Sequence, residues 1–219
     1  MYNANVSGAM NNQTNEREKP TAVRLAEGGR SRITDREQER ELVQAVQRGT
    51  LGASHEIYEA YREQIFNLSL YMIGDASQAQ DVVQTVFLKV FRGLARFRFQ
   101  SSLRTWIYRI AHNECQDYHR RQRISHVPLE AILGSSDEID TKPNSDALHG
   151  RRERELIIQQ AVMQLPLKMR EVIVLKYVEG FSYEEMGKVL RCSAGTVASR
   201  LNRALVELEE RLRPFRRVL

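Results

Sequence analysis

The sequence predicts an all-α protein: two small helical domains joined by a flexible acidic linker, the second domain being a helix-turn-helix. Three observations carry this. Apolar residues recur every three or four positions in both halves of the chain, the period of a helix with one buried face. A capping box, in which serine or threonine is followed three residues later by glutamate, stands at Thr34/Glu37 and at Ser182/Glu185. Between the halves, residues 125–150 hold two prolines, two glycines and five acids against one lysine, a net of −4 that suits a solvated tether.

The elements follow in order. Residues 1–33 are poor in large apolar side chains and are expected to be disordered, because they cannot bury enough surface to offset ordering entropy. A targeting or partner role for this tail stays open. The first domain, 34–124, starts at the Thr34 box and continues through Leu42, Val43 and Val46. Ile57, Tyr61, Ile65, Leu68 and Met72 mark one face of a second helix. Asp75 is placed to cap a third, whose stripe is Ala79, Val82, Val83, Val86, Phe87, Val90, Phe91 and Leu94. "RFRFQSS" is a loop, and Ser101 or Ser102 caps a fourth helix with Leu103, Trp106, Ile107, Ile110 and Ala111 on its buried side. The second domain, 151–219, opens with Ile157, Ile158, Ala161, Val162 and Leu165. Pro166 suits the first turn of the helix carrying Met169, Val172, Ile173 and Leu175.

Composition narrows the function. The chain has 219 residues, 42% hydrophobic and 28% charged, with a net charge of +5, a mild bias toward polyanionic partners. Its two cysteines, Cys115 and Cys192, are too few for a disulfide framework, and a reducing compartment is the expectation. No apolar run approaches the roughly 20 residues that span a bilayer. The expected location is cytoplasmic, without membrane insertion. No glycine-rich phosphate loop is present.

The stretch Ser182–Leu205 reads as a short helix, a tight break and a second helix capped by Ser193. Val197, Leu201, Ala204 or Leu205, Leu208 and Leu212 form the second helix's apolar stripe. The other side of its first turns carries Thr196, Ser199, Arg200 and Arg203, with Glu207, Glu209 and Glu210 later. Acids favour a helix start and bases its end, so arginines near a start run against the helix dipole. That arrangement suits a recognition helix entering a major groove. Gly187 would let the two helices approach closely. Upstream, residues 96–123 carry seven arginines and two acids, interleaved with Phe97, Phe99, Trp106, Tyr108 and Tyr118. Arginine with exposed rings is the composition of a single-strand or melted-duplex binder. Core packing is the competing account of these rings, evenly balanced for Trp106 and weaker for Phe99, which sits in a loop.

"DVVQTVFLKVFRGLARFRFQSSLRTWIYRIAHNECQDYHRR" resembles region two of bacterial sigma factors of the extracytoplasmic-function group, and "LPLKMREVIVLKYVEGFSYEEMGKVLRCSAGTVASRLNRAL" resembles their region four. The resemblance spans roughly residues 38–213. It implies a protein that brings core RNA polymerase to promoters and helps melt them. Asp81, Gln84, Thr85 and Leu88 would dock on the polymerase clamp helices. Within the loop Phe97–Ser102, Arg98, Phe99, Gln100 and Ser101, with Trp106 beside them, would hold a flipped base of the −10 element. Arg109, Asn113, Arg120 and Arg121 would follow the adjacent duplex. Thr196, Ser199, Arg200 and Arg203 would meet the −35 element, and the linker would mimic nucleic acid in a basic polymerase channel. The implied partners are core RNA polymerase and promoter DNA, with room for an anti-sigma factor. No cofactor and no catalysis are implied. Three positions depart from the family pattern: Thr85 where glutamate is usual, Ala198 where lysine is common, and Arg191 where a turn glycine is frequent. A positive φ at Arg191 would cost about 1 kcal/mol.

Two other readings compete. A stand-alone helix-turn-helix regulator would leave the basic, aromatic domain unexplained. A metal-binding protein would use His112, Cys115 and His119, spaced i, i+3, i+7 on one helical face, with His126 as a fourth ligand.

Overall fold

The computed structural model describes residues 36–50, 52–125 and 146–216. The expected tail, the Thr34 cap, His126 and most of the expected linker lie outside these residues. Among the described residues every regular element is helical: α1 (Arg36–Gln47), α2 (Ala53–Ile73), α3 (Ala76–Leu94), α4 (Leu103–Ser125), α5 (Asp146–Met163), α6 (Leu167–Ile173), α7 (Tyr183–Leu190) and α8 (Ala194–Leu212). None is long and apolar enough to cross a membrane.

The first body is α1–α4, with α2, α3 and α4 packed on one another. The stripes foreseen from the period are largely the buried ones: Ile57, Tyr61, Ile65, Leu68 and Met72 on α2, and Ala79, Val82, Val83, Val86, Phe87, Val90 and Leu94 on α3, with Phe91 at the stripe's edge only half-buried. Burying each such side chain contributes roughly 1.5–3 kcal/mol. Asp75 caps α3, its carboxylate accepting from the Gln78 N–H at 2.7 Å. Of the two candidate caps of α4, Ser102 performs the role, its hydroxyl accepting from the Thr105 N–H at 3.1 Å. Leu103, Ile107, Tyr108, Ala111 and Cys115 form the buried side of α4, whereas Trp106 and Ile110 are only half-buried.

In the second body, α5 starts at Asp146, so the last residues of the expected linker are helical. Pro166 is the cap residue ahead of α6 rather than a member of its first turn. Beyond Ile173 the helix widens into a π-type turn, Val174–Val178, that the apolar period did not reveal. Both halves of the Ser182/Glu185 capping box are made.

The two bodies pack against each other, chiefly through α4 against α7, and one hydrophobic cluster runs through both. Phe181 meets Tyr108 edge-on, ring centres 4.7 Å apart, and the Arg104 guanidinium lies 3.9 Å above Phe181. Arg170 donates to the carbonyls of Tyr71 and Met72, at 3.1 and 3.0 Å, at the end of α2. The buried Glu171 carboxylate is held from the first body by His112 and Gln116, each at 3.0 Å.

Candidate nucleic-acid interface

The helix-turn-helix is set by its turn. Arg191 closes α7 in the left-handed conformation, φ 53 and ψ 47. A Cβ on Gly187 would stand 2.7 Å from the Cys192 carbonyl, so this glycine makes room for the turn's backbone rather than for α8. Ser193 caps α8 by accepting from the Thr196 N–H at 3.1 Å. Val197, Leu201 and Ala204 are buried, which turns Ser199 and Arg203 to solvent. Leu205, Leu208 and Leu212 are half-buried. Thr196 is half-buried, its hydroxyl 2.9 Å from that of Ser193. Arg200 is half-buried too, its side chain 26% exposed and its Nη1 3.8 Å from Glu171 Oε1. Of the four −35 candidates, Ser199 and Arg203 are thus the exposed pair, each also donating to a carbonyl of its own helix, that of Thr196 at 3.0 Å and that of Ser199 at 3.3 Å. Ala198 is half-buried.

The first body carries a cleft of about 360 Å3 lined by Gly93, Arg96, Phe97, Arg98, Gln100, Ser101, Trp106 and Arg109. The turn after α3 is closed by the N–H groups of Arg96 and Phe97, bonded to Gly93 and Leu94 carbonyls. A Cβ on Gly93 would meet the Trp106 indole at 2.8 Å, so glycine there lets the ring lie over the helix. Phe97 is buried, and Phe99 is half-buried and adopts φ 56. The Phe99 ring rests edge-on against Phe97 with centres 5.1 Å apart, and Arg40 of α1 covers it at 5.4 Å. It is therefore less exposed than its place in a loop suggests, and it is not among the cleft-lining residues.

The remaining candidates are spread. Asn113 is half-buried, and Arg120 is exposed and paired with Asp117 at 3.0 Å. Arg121 lies away from that cleft. It shares a second one, about 320 Å3, with Gln78, Asp81, Val82, Thr85, Glu114, Tyr118 and Gln122. Asp81 and Gln84 are exposed, Thr85 is half-buried with its hydroxyl donating to the Asp81 carbonyl, and Leu88 is 57% exposed.

The metal reading does not survive. His112 turns to Glu171, His119 donates to the Met72 carbonyl at 2.9 Å, and Cys115 is buried beside Ser69, its thiol pushed up to about 12 by desolvation. Among the described residues no three His, Cys, Asp or Glu side chains converge on a metal position. The ligand-like spacing is a packing stripe: α4 uses these positions to meet α2 and α6.

Sequence reasoning missed Glu39, Arg40 and Gln47 of α1, which touch the loop and the start of α4, because their partners lie about fifty residues or more away in the chain. It also missed Glu179, whose carboxyl accepts from the Tyr108 hydroxyl.

A helix-turn-helix beside a basic, ring-lined cleft is the architecture of a DNA-binding protein. Residues 57–124 match the model of sigma-70 region 2, and residues 155–208 that of sigma-70 region 4. The chain is 34% identical to the RNA polymerase sigma-H factor of Pseudomonas aeruginosa over 83% of its length and 97% of the relative's. It is 30% identical to the ECF sigma factor SigW of Bacillus subtilis, covering 78% and 95%. To the ECF sigma-E factor of Escherichia coli it is 32% identical, covering 80% and 94%. In fold it resembles CnrH, solved in complex with the cytosolic domain of CnrY, with a TM-score of 0.61 and 22% identity over 80% of this chain and 97% of that one. RpoE from Bartonella quintana, solved with the anti-sigma factor NepR, gives a TM-score of 0.55 and 24% identity over 73% and 96%. The chain belongs to the extracytoplasmic-function sigma factors of bacterial RNA polymerase. It directs the polymerase to promoters.

Proposed function

We propose that residues 34–124 bind core polymerase and open the −10 element, that 125–150 form the acidic linker, that 151–219 read the −35 element, and that 1–33 are a tail. Asp81, Gln84, Thr85 and Leu88 dock on the polymerase. Arg98, Phe99, Gln100, Ser101 and Trp106 form the −10 pocket, with Arg109, Asn113 and Arg120 following the duplex. Arg121 belongs with these by family pattern, although its place beside Asp81 suits the polymerase face as well. Thr196, Ser199, Arg200 and Arg203 read the −35 element. The observation that carries the assignment is the presence of both a ring-lined basic cleft and a capped recognition helix in one chain, since a stand-alone repressor or activator has no use for the first.

On this reading the chain catalyses nothing itself, bond formation belonging to the polymerase, and it works in the cytoplasm. An anti-sigma factor is the further partner we propose, on the ground that the relatives CnrH and RpoE were solved with CnrY and NepR. Run-off transcription by core polymerase on a promoter library, with and without this chain, tests the function. Transcripts that appear only with the chain and share a −35 and a −10 sequence are expected. DNA binding by the free chain with no effect on the polymerase would favour the stand-alone regulator.

A further inference from the structure

Helix α1 lies outside the residues matched by region 2, which begin at residue 57, yet it grips both ends of the −10 loop. At the near end, one amide does the work. Gln47 Nε2 donates to the Leu94 carbonyl at 3.0 Å and to the Phe97 carbonyl at 3.2 Å. At the far end, the Glu39 carboxylate accepts from the N–H groups of Leu103 and Arg104 at 3.2 and 3.3 Å. These are orphan donors of the first turn of α4, and a carboxylate there also suits the positive end of that helix. Between the two grips, Arg40 lies over the Phe99 ring, while Phe99 itself holds a left-handed backbone.

Side chains two turns apart on one short helix therefore fix the stem of a loop whose middle is strained. A non-glycine residue at φ 56 persists only where its surroundings over-determine it. Both Gln47 acceptors are main-chain carbonyls of the segment that carries Arg96, Phe97 and Arg98 into the cleft. A pocket held open in advance spares the base the task of ordering it on arrival.

We propose that α1 sets −10 selectivity, with Gln47 and Glu39 as positioning residues that hold the base-capturing loop in its receptive shape and Arg40 as the lid on Phe99. This rests on the reading of Phe97–Ser102 as the −10 pocket. The role is indirect, since the two residues act through the loop backbone.

The test uses holoenzyme reconstituted from core polymerase and the full chain, with a synthetic bubble template randomised at the −10 positions, captured and sequenced. Two variants probe α1. Gln47→Glu keeps the shape and removes the donor, and Glu39→Gln keeps one acceptor oxygen and removes the charge. A third, Gln100→Ala, probes the cleft directly. The expected result is that Gln47→Glu and Glu39→Gln flatten the −10 base preference by about tenfold, the scale of one lost base stack, while core polymerase binding and −35 preference match the wild type. Unchanged −10 preference in both α1 variants, with Gln100→Ala flattened, overturns the α1 proposal and leaves the pocket standing. Unchanged preference in Gln100→Ala as well overturns the pocket reading and the α1 proposal together. Loss of core binding in step with selectivity in both α1 variants also overturns it, because α1 would then be only a structural prop.

Discussion

The Tyr108 hydroxyl of α4 donates to the Glu179 carboxylate just ahead of α7, joining the two helical bodies through one buried hydrogen bond. The second oxygen of Glu179, Oε1, is buried with no partner among the described residues. Burial pushes this carboxyl up from 4.5 to about 7, against the lowering influence of the Tyr108 bond and the Arg104 charge.

The packing of the two bodies should therefore depend on pH. A carboxyl whose pKa is raised in the packed state stabilises that state fully below its ordinary value of 4.5 and loses the contribution as pH rises through about 7. The radius of gyration of the free chain, from small-angle X-ray scattering, should increase across that window. Glu179→Gln, permanently neutral, should remove this step. Tyr108→Phe should weaken the contact by about 1–3 kcal/mol above pH 7, where an ionised Glu179 would lose its donor. An unchanged step in Glu179→Gln would assign the effect to another group.

Changing Asp81 and Gln84 together to alanine should reduce capture of the chain by immobilised core polymerase and leave thermal unfolding within about 0.5 kcal/mol of the wild type. Both are exposed on a helix whose opposite side supplies the buried stripe, and surface changes of this kind rarely move stability further. Normal capture of the double variant would remove these residues from the docking face.

The two arginines of the recognition helix should separate. Arg203 is exposed, so Arg203→Ala should weaken promoter binding by about 1–3 kcal/mol with no change in stability. Arg200 also lies near the buried Glu171, so Arg200→Ala should lower promoter affinity and stability together. Fluorescence anisotropy on −35 duplexes, paired with thermal melts, checks both. Loss of preference at one base pair would identify a base reader, and a uniform loss a phosphate contact.

The turn of the helix-turn-helix offers opposite substitutions. Arg191→Gly should stabilise the chain by about 1 kcal/mol, because glycine takes the left-handed conformation at no steric cost. Gly187→Ala should destabilise it by roughly 1–3 kcal/mol, its methyl group forced onto the Cys192 carbonyl. Chemical denaturation of the two variants measures both signs.

Local signals in the sequence read well, and contacts between distant segments did not. The Ser182/Glu185 box, the Asp75 cap and the stripes of α2 and α3 each depend on residues within a few positions of one another, where helical geometry alone dictates the outcome. The left-handed turn at Arg191 was legible from the family pattern, in which glycine is frequent there. Arg104, Tyr108 and His112 were opaque. Read locally, Arg104 and Tyr108 belong to a basic, aromatic DNA-facing surface and His112 to a metal-ligand set, yet Arg104 and Tyr108 meet Glu179 and Phe181, and His112 meets Glu171. Nothing within one helical turn of either acid announces that it will be buried. The same blindness made the spacing of His112, Cys115 and His119 look like a ligand set.

Several of the bonds that join the two bodies end on main-chain carbonyls: Arg104 on that of Glu179, and Arg170 on those of Tyr71 and Met72. A carbonyl is present whatever the side chain, so these acceptors cannot be lost by substitution of Glu179, Tyr71 or Met72. Descendants of this sequence can adjust these particular bonds only from the donor side, at two arginine codons. Drift at Tyr71 or Met72 alters packing volume, while a single change at Arg170 releases the end of α2 and the Met163 and Leu165 carbonyls at once. For these main-chain bonds, the capacity to change is thereby concentrated, as an inherited trait, in two positions.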